Sequence, residues 1–116
     1  MNALPTEKDV GKTTVSLEVI HKIARLTALS VPGVSRMACF RGSVEKLLSK
    51  EEFRGVKVHI KDEMVFVDVF VVLMSDRNVR EISREIQARV SRTISEMIGM
   101  NVGGVNIHIL DIDFVA

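Results

Sequence analysis

The sequence has no tryptophan and no tyrosine, and its aromatic content rests on five phenylalanines. A single-stranded nucleic acid is gripped by stacking bases on aromatic rings, so little is available for that purpose. An excess of one charge is missing too: 16 Lys+Arg stand against 15 Asp+Glu. Phosphate contacts supply much of a nucleic-acid binder's affinity, and we therefore expect no nucleic-acid partner. One cysteine, Cys39, excludes an internal disulfide and fits a reducing cytoplasm. The longest nearly apolar run, Met64 to Met74, is interrupted by Asp68. It falls well short of the ~20 residues of a membrane span, so direct membrane insertion is not expected. Met1 to Val10 is polar and lacks the apolar stretch of a signal peptide. Residues 1–10 are read as a disordered lead-in.

What remains is enough for one folded unit. The 116 residues are 47% hydrophobic and 27% charged, a globular composition. A chain of this length buries about two-thirds of its unfolded surface, so a single domain over residues 11–116 needs no disulfide or metal. Hydrophobic periodicity then divides it. Thr13 to Val15 offers a short edge strand. Ser16 suits an N-cap, and Val19, Ile20, Ile23, Ala24 and Thr27 make the apolar stripe of a helix that Pro32-Gly33 ends. Val34 to Phe40 reads as a weak strand and Ser43 to Phe53 as a short helix. Val56, Val58 and Ile60 alternate with Lys57, His59 and Lys61; after a tight turn, Val65, Val67, Val69, Val71 and Leu73 follow at period two. That is a β-hairpin with one buried face.

Asn78 with Glu81 resembles a capping box, opening a long helix over about Val79 to Ile98. Val79, Ile82, Ile86, Val90, Ile94 and Met97 form its apolar side, and Gly99 its stop. A last strand covers about Val105 to Phe114. The expected fold is α+β in two layers, a mixed β-sheet with two main helices on one face, in the order (β)-α-β-(α)-β-β-α-β.

Candidate chemistry is sparse. Gly11-Lys12-Thr13-Thr14 looks like the end of a phosphate loop, but Thr6 stands where that motif needs its first glycine. Of three histidines, His21 is placed on the exposed side of the first helix; His59 and His108 point off the buried sheet face and could meet if their strands were neighbours. No further ligand stands at metal spacing around them, so no metal and no cofactor is expected. Cys39, between Ala38 and Phe40, reads as a structural thiol, and Asp111 and Asp113 as solvated carboxylates. Asp68 is the unusual residue, set mid-strand on a face shared with Phe66, Phe70 and Val72. After Ile109 the alternation flips. Either a bulge corrects the register, or Leu110, Ile112 and Phe114 join that second face. Phe66, Asp68, Phe70, Val72, Leu110, Ile112 and Phe114 are thus a candidate protein-interaction face, set against cover from within the chain.

The whole pattern resembles the bacterial alkaline shock protein family of envelope stress response proteins. The resemblance is carried by Val15-Ser16-Leu17-Glu18-Val19-Ile20, Val31-Pro32-Gly33-Val34, Gly55-Val56-Lys57-Val58, Val67-Asp68-Val69-Phe70, Glu85-Ile86-Gln87, Met97-Ile98-Gly99-Met100 and Val105-Asn106-Ile107-His108-Ile109. It departs from the family at Thr27, Ser30, Met37-Ala38-Cys39-Phe40 and Gly104. The resemblance implies a non-enzymatic cytoplasmic protein of cell-envelope homeostasis. It also implies protein partners, a small membrane-anchored protein among them, and self-association into a homo-oligomer. No catalytic residue is carried over. The competing expectations are a regulatory partner of a fatty-acid or lipid-synthesis enzyme, and a small-ligand binder or enzyme built on His59, Asp68 and His108. Nucleic-acid binding through Arg77, Arg80, Arg84 and Arg92 is opposed by Glu81, Glu85 and Glu96 on the same helix.

Overall fold

A computed structural model describes residues 15–38 and 55–115. The expected lead-in, the Gly11-Lys12-Thr13-Thr14 segment, Cys39 and the short helix lie outside the described residues; the expected edge strand does so for Thr13 and Thr14. The elements in chain order are α1 (Leu17–Leu29), β1 (Val34–Met37), β2 (Val56–Lys61), β3 (Met64–Met74), α2 (Val79–Ile98) and β4 (Asn101–Asp113). The expected α+β order and the two helices on one face of a mixed sheet are what the structure has.

Each helix starts as its sequence dictates. The Ser16 hydroxyl accepts from the Val19 N–H, and the Asn78 side chain accepts from the Glu81 N–H. Each satisfies a backbone donor that the first helical turn leaves open. Gly99 closes α2 in the left-handed conformation. The hairpin between β2 and β3 turns on Asp62 and Glu63, both at positive φ. Two consecutive left-handed residues match the twist of the flanking strands, although neither is a glycine.

β3 is the centre of the sheet. β1 and β2 run antiparallel to it, and β4 runs parallel along its whole length. Because β4 takes one edge of β3 from Met64 to Met74, β1 and β2 share the other edge end to end. Val65, Val67, Val69, Val71 and Leu73 are fully buried under the helices. They meet Ile20, Ala24 and Ala28 of α1 and Ile82, Ile86, Val90 and Ile94 of α2. At roughly 25 cal/mol per Å2 of apolar surface, each such aliphatic side chain contributes about 1.5–3 kcal/mol.

The stripes are narrower than periodicity predicts. Val19, Val79 and Met97 were expected inside and are exposed, because α1 turns Val19 away from the sheet and Val79 and Met97 sit at the two ends of α2. His21 was expected outside and is buried. It lies on the same side of α1 as Ala24 and Ala28, and its Nδ1–H donates to the Leu17 carbonyl at 2.6 Å. An intrahelical partner lets an imidazole occupy a buried position that its polarity alone would forbid.

Candidate functional site

The face of the sheet opposite the helices carries the residues of interest. From β3 it has Phe66, Asp68, Phe70 and Val72. Their β2 neighbours are Lys57, opposite Asp68, and His59, opposite Phe66. On the other side β4 sets Gly104 beside Phe66, Asn106 beside Asp68 and His108 beside Phe70.

Two bulges in β4 decide which of its residues belong here. The register with β3 slips at Gly103 and again at Leu110. The first brings Gly104, Asn106 and His108 to the outer face. The second returns the strand to its opening parity, so that Asp111 and Asp113 face outward beside Val72 and Met74, and Ile112 pairs with Leu73 and packs against the core. Three residues of the expected face are therefore placed elsewhere. Leu110 is the bulged residue, Ile112 is on the helix side, and Phe114 lies past the strand end, 85% exposed. The bulge was the other alternative that the sequence allowed. Asp111 and Asp113, which unbroken alternation from Ile109 would put on the helix side, face outward.

Asp68 anchors a hydrogen-bonded group. Its Oδ1 accepts from Asn106 Nδ2 at 3.2 Å and lies 3.0 Å from His108 Nε2. Partial burial pushes the Asp68 pKa up, but hydrogen bonds from His108 and Asn106 and the nearby His108 and His59 rings outweigh it, and the net direction is down from the ordinary 3.8. The histidines do not meet, because β3 runs between their strands. Each lies instead on a phenylalanine: His59 on Phe66 at 5.1 Å between ring centroids, and His108 on Phe70 at 4.4 Å. Lys57 Nζ stands 5.7 Å from the Phe70 centroid. Such stacked and cationic contacts are worth about 0.5–1.5 kcal/mol apiece.

A second polar group lies further along this face. Asp113 accepts from the Ser35 hydroxyl at 2.5 Å and from Arg36 Nε at 3.2 Å, which ties β1 to β4 across β3. These bonds draw the Asp113 pKa down. Neither Asn106 nor the Ser35–Arg36–Asp113 group was singled out in the sequence. Asn106 shares His108's parity and could have been; Asp113 could not, because its side depends on the bulge.

Three clefts lined by described residues lie away from this group. One is between the start of α1 and the end of α2 (Val15, Val19, Met97); the others run beside Arg77 to Arg89 and between α2 and β4. Among the described residues no cluster of three metal-ligating side chains occurs, and no helix is long and apolar enough to cross a membrane.

The fold is thus an α+β sheet-and-helix domain whose outer sheet face is aromatic and polar together. A family model matches residues 5–114, and the chain belongs to that family: the alkaline shock protein 23 family, of cell envelope-related function. Its relatives include YqhY of Bacillus subtilis, 30% identical over 107 residues, 90% of this chain and 79% of that protein. YloU of the same bacterium is 29% identical over 103 residues, 85% and 86% of the two chains. Spy1614 of Streptococcus pyogenes is 29% identical over 109 residues, 90% of each. Among solved structures, a copper form of MamM CTD superposes with a TM-score of 0.54 at 13% identity, covering 86% of this chain and 87% of that one. At that identity the likeness is one of fold.

Proposed function

We propose that this protein is a non-enzymatic interaction module of cell-envelope homeostasis that recognises a protein partner through its outer sheet face. The observation that supports this most is the state of that face. Phe66 and Phe70 are only partly covered, and among the described residues His59 and His108 stack on their rings and Lys57 lies near Phe70. Partly exposed aromatics rimmed by polar and charged groups are the anchors protein interfaces favour. The polar groups that a catalytic reading would use are engaged with one another on this surface, Asp68 with His108 and Asn106. This reading includes a cytoplasmic place beside the membrane, reached through a small membrane-anchored partner, and the family's cell envelope-related function is its support.

The test uses Lys57 and His59, which are exposed and lie on β2, so their substitution spares the core. Tagged wild type and K57E/H59E are compared by affinity capture from the native cells with mass spectrometry. A partner held by the wild type and lost from the folded variant is expected. Retention of every partner by the variant would overturn the assignment of this face. An activity on lipid-synthesis intermediates, lost on His108→Ala, would favour the enzyme reading instead.

A further inference from the structure

β4 is an edge strand among the described residues: it pairs with β3 on one side only. Long open edges invite strand addition, and proteins usually blunt them. The direction of its backbone groups can be read from its neighbours. Phe70 donates to the Gly55 carbonyl and accepts from the Ala38 N–H, and Met74 donates to the Gly33 carbonyl. Even-numbered residues of β3 therefore turn toward β1 and β2, and odd-numbered ones toward β4. Through the parallel register, Val102, Val105, Ile107, Ile109 and Ile112 of β4 turn their N–H and C=O groups away from β3. Two side chains agree with this: Gln87 Nε2 donates to the Val105 carbonyl, and Asp111 Oδ1 accepts from the Ile112 N–H.

These outward residues are disposed symmetrically. Val105 and Ile109 stand two positions either side of Ile107, and Val102 and Ile112 stand five positions either side. The two bulges are placed symmetrically, each adding one residue between an inner and an outer member, so the outer intervals stay equal. A strand with this arrangement is complementary to itself run antiparallel.

We propose that the edge of β4 left open among the described residues binds β4 of a second copy, antiparallel and about a two-fold axis at Ile107, joining the two sheets into one. A two-fold operation pairs Ile107 with itself, Val105 with Ile109 and Val102 with Ile112, so every outward group finds an outward group, across the bulges included. Side chains match as well. On the helix side these pairs are all β-branched, a favoured cross-strand combination. On the outer face Asn106 comes opposite His108 of the second copy, and the bulged Leu110, 52% exposed in the single chain, comes opposite Gly104. The edge is bordered by a cleft of about 520 Å3 between Arg84, Gln87, Ala88 and Ser91 of α2 and Val102, Gly104 and Val105 of β4, which leaves space for an arriving strand. The bonds from Gln87 and Asp111 hold two edge groups in the single chain and are shared or exchanged on pairing. The inference adds a self-association site and does not depend on the outer face binding another protein.

The test is sedimentation equilibrium of the full chain at 10–100 μM (about the range where weak dimers form), with circular dichroism as the check on folding. The wild type is expected at twice the mass of its 12.9 kDa chain or more. Ile107→Pro removes an N–H that turns away from β3, so it costs no ladder bond within the chain but blocks pairing at the axis. It is expected to be folded with its mass reduced at least twofold. In a Cys39→Ser background, Ile107→Cys should give a disulfide-linked dimer under oxidising glutathione, while Glu96→Cys on exposed α2 should not. A monomeric wild type overturns the proposal, as does a folded Ile107→Pro variant of unchanged mass. If Ile107→Pro unfolds, the cross-link decides: a dimer at position 107 alone supports the pairing, and its absence overturns it.

Discussion

Gly103→Ala probes the link between the first β4 bulge and the aromatic face. A Cβ built on Gly103 would fall 2.4 Å from Phe66 Cζ and 2.5 Å from Cε2, where ordinary contact begins near 3.4 Å. The ring must therefore retreat by roughly 1 Å, against His59 stacked upon it at 5.1 Å. Overpacking of this kind costs about 1–3 kcal/mol. Phe66 is only partly buried, which favours the lower half of that range. Restricting the unfolded chain by a Gly-to-Ala change returns about 0.4–1 kcal/mol. The net expectation is a loss of about 1 kcal/mol, or a fall in Tm of roughly 4–8 °C for a domain of this size. The assay is urea denaturation of the wild type, G103A, F66L and the double variant. If the clash is the cause, G103A should cost about 1 kcal/mol less in the F66L background, the coupling expected of neighbours in contact. An equal cost in both backgrounds, or no cost in either, would refute the steric reasoning.

Asp68 has a folded pKa below its ordinary 3.8. Its contribution is thus complete above the unfolded value and drains away as pH falls through about 4 and on through the lower folded value; Asp68→Asn should reduce stability at pH 7 by about 1–2 kcal/mol and flatten the loss below pH 4, read from urea midpoints across pH. Gly33→Ala should be far more damaging, about 2–4 kcal/mol by thermal denaturation, because φ there is +101° and a Cβ would sit 2.5 Å from Ile82 Cδ1 in the core. Glu63→Gly should raise the melting temperature by a few degrees, since φ of 64° in the Asp62–Glu63 turn strains a residue with a side chain, by about 0.5–1 kcal/mol net of unfolded-chain entropy.

The elements and their layers were legible in the chain before any contact was known. Helix caps at Ser16 and Asn78, the hairpin around Asp62 and the period-two run of β3 are local signals, written within a few residues of where they act. Burial of Val65 through Leu73 on one side of β3 follows from that alternation alone. The face holding Phe66, Asp68, Phe70 and Val72 was legible for the same reason. Everything that depends on a partner strand or helix came from the assembled fold. A bulge is a mismatch between two strands, so β4's own residues offered Leu110's displacement and the return of Ile112 to the core only as one of two alternatives, and the pairing with β3 chose between them. The same bulges brought Asn106 and His108 to Asp68 and set Asp113 against Ser35 and Arg36. His21 went inside and Val19 and Met97 outside because burial on a helix depends on where its neighbours stop, and periodicity records only direction around the axis.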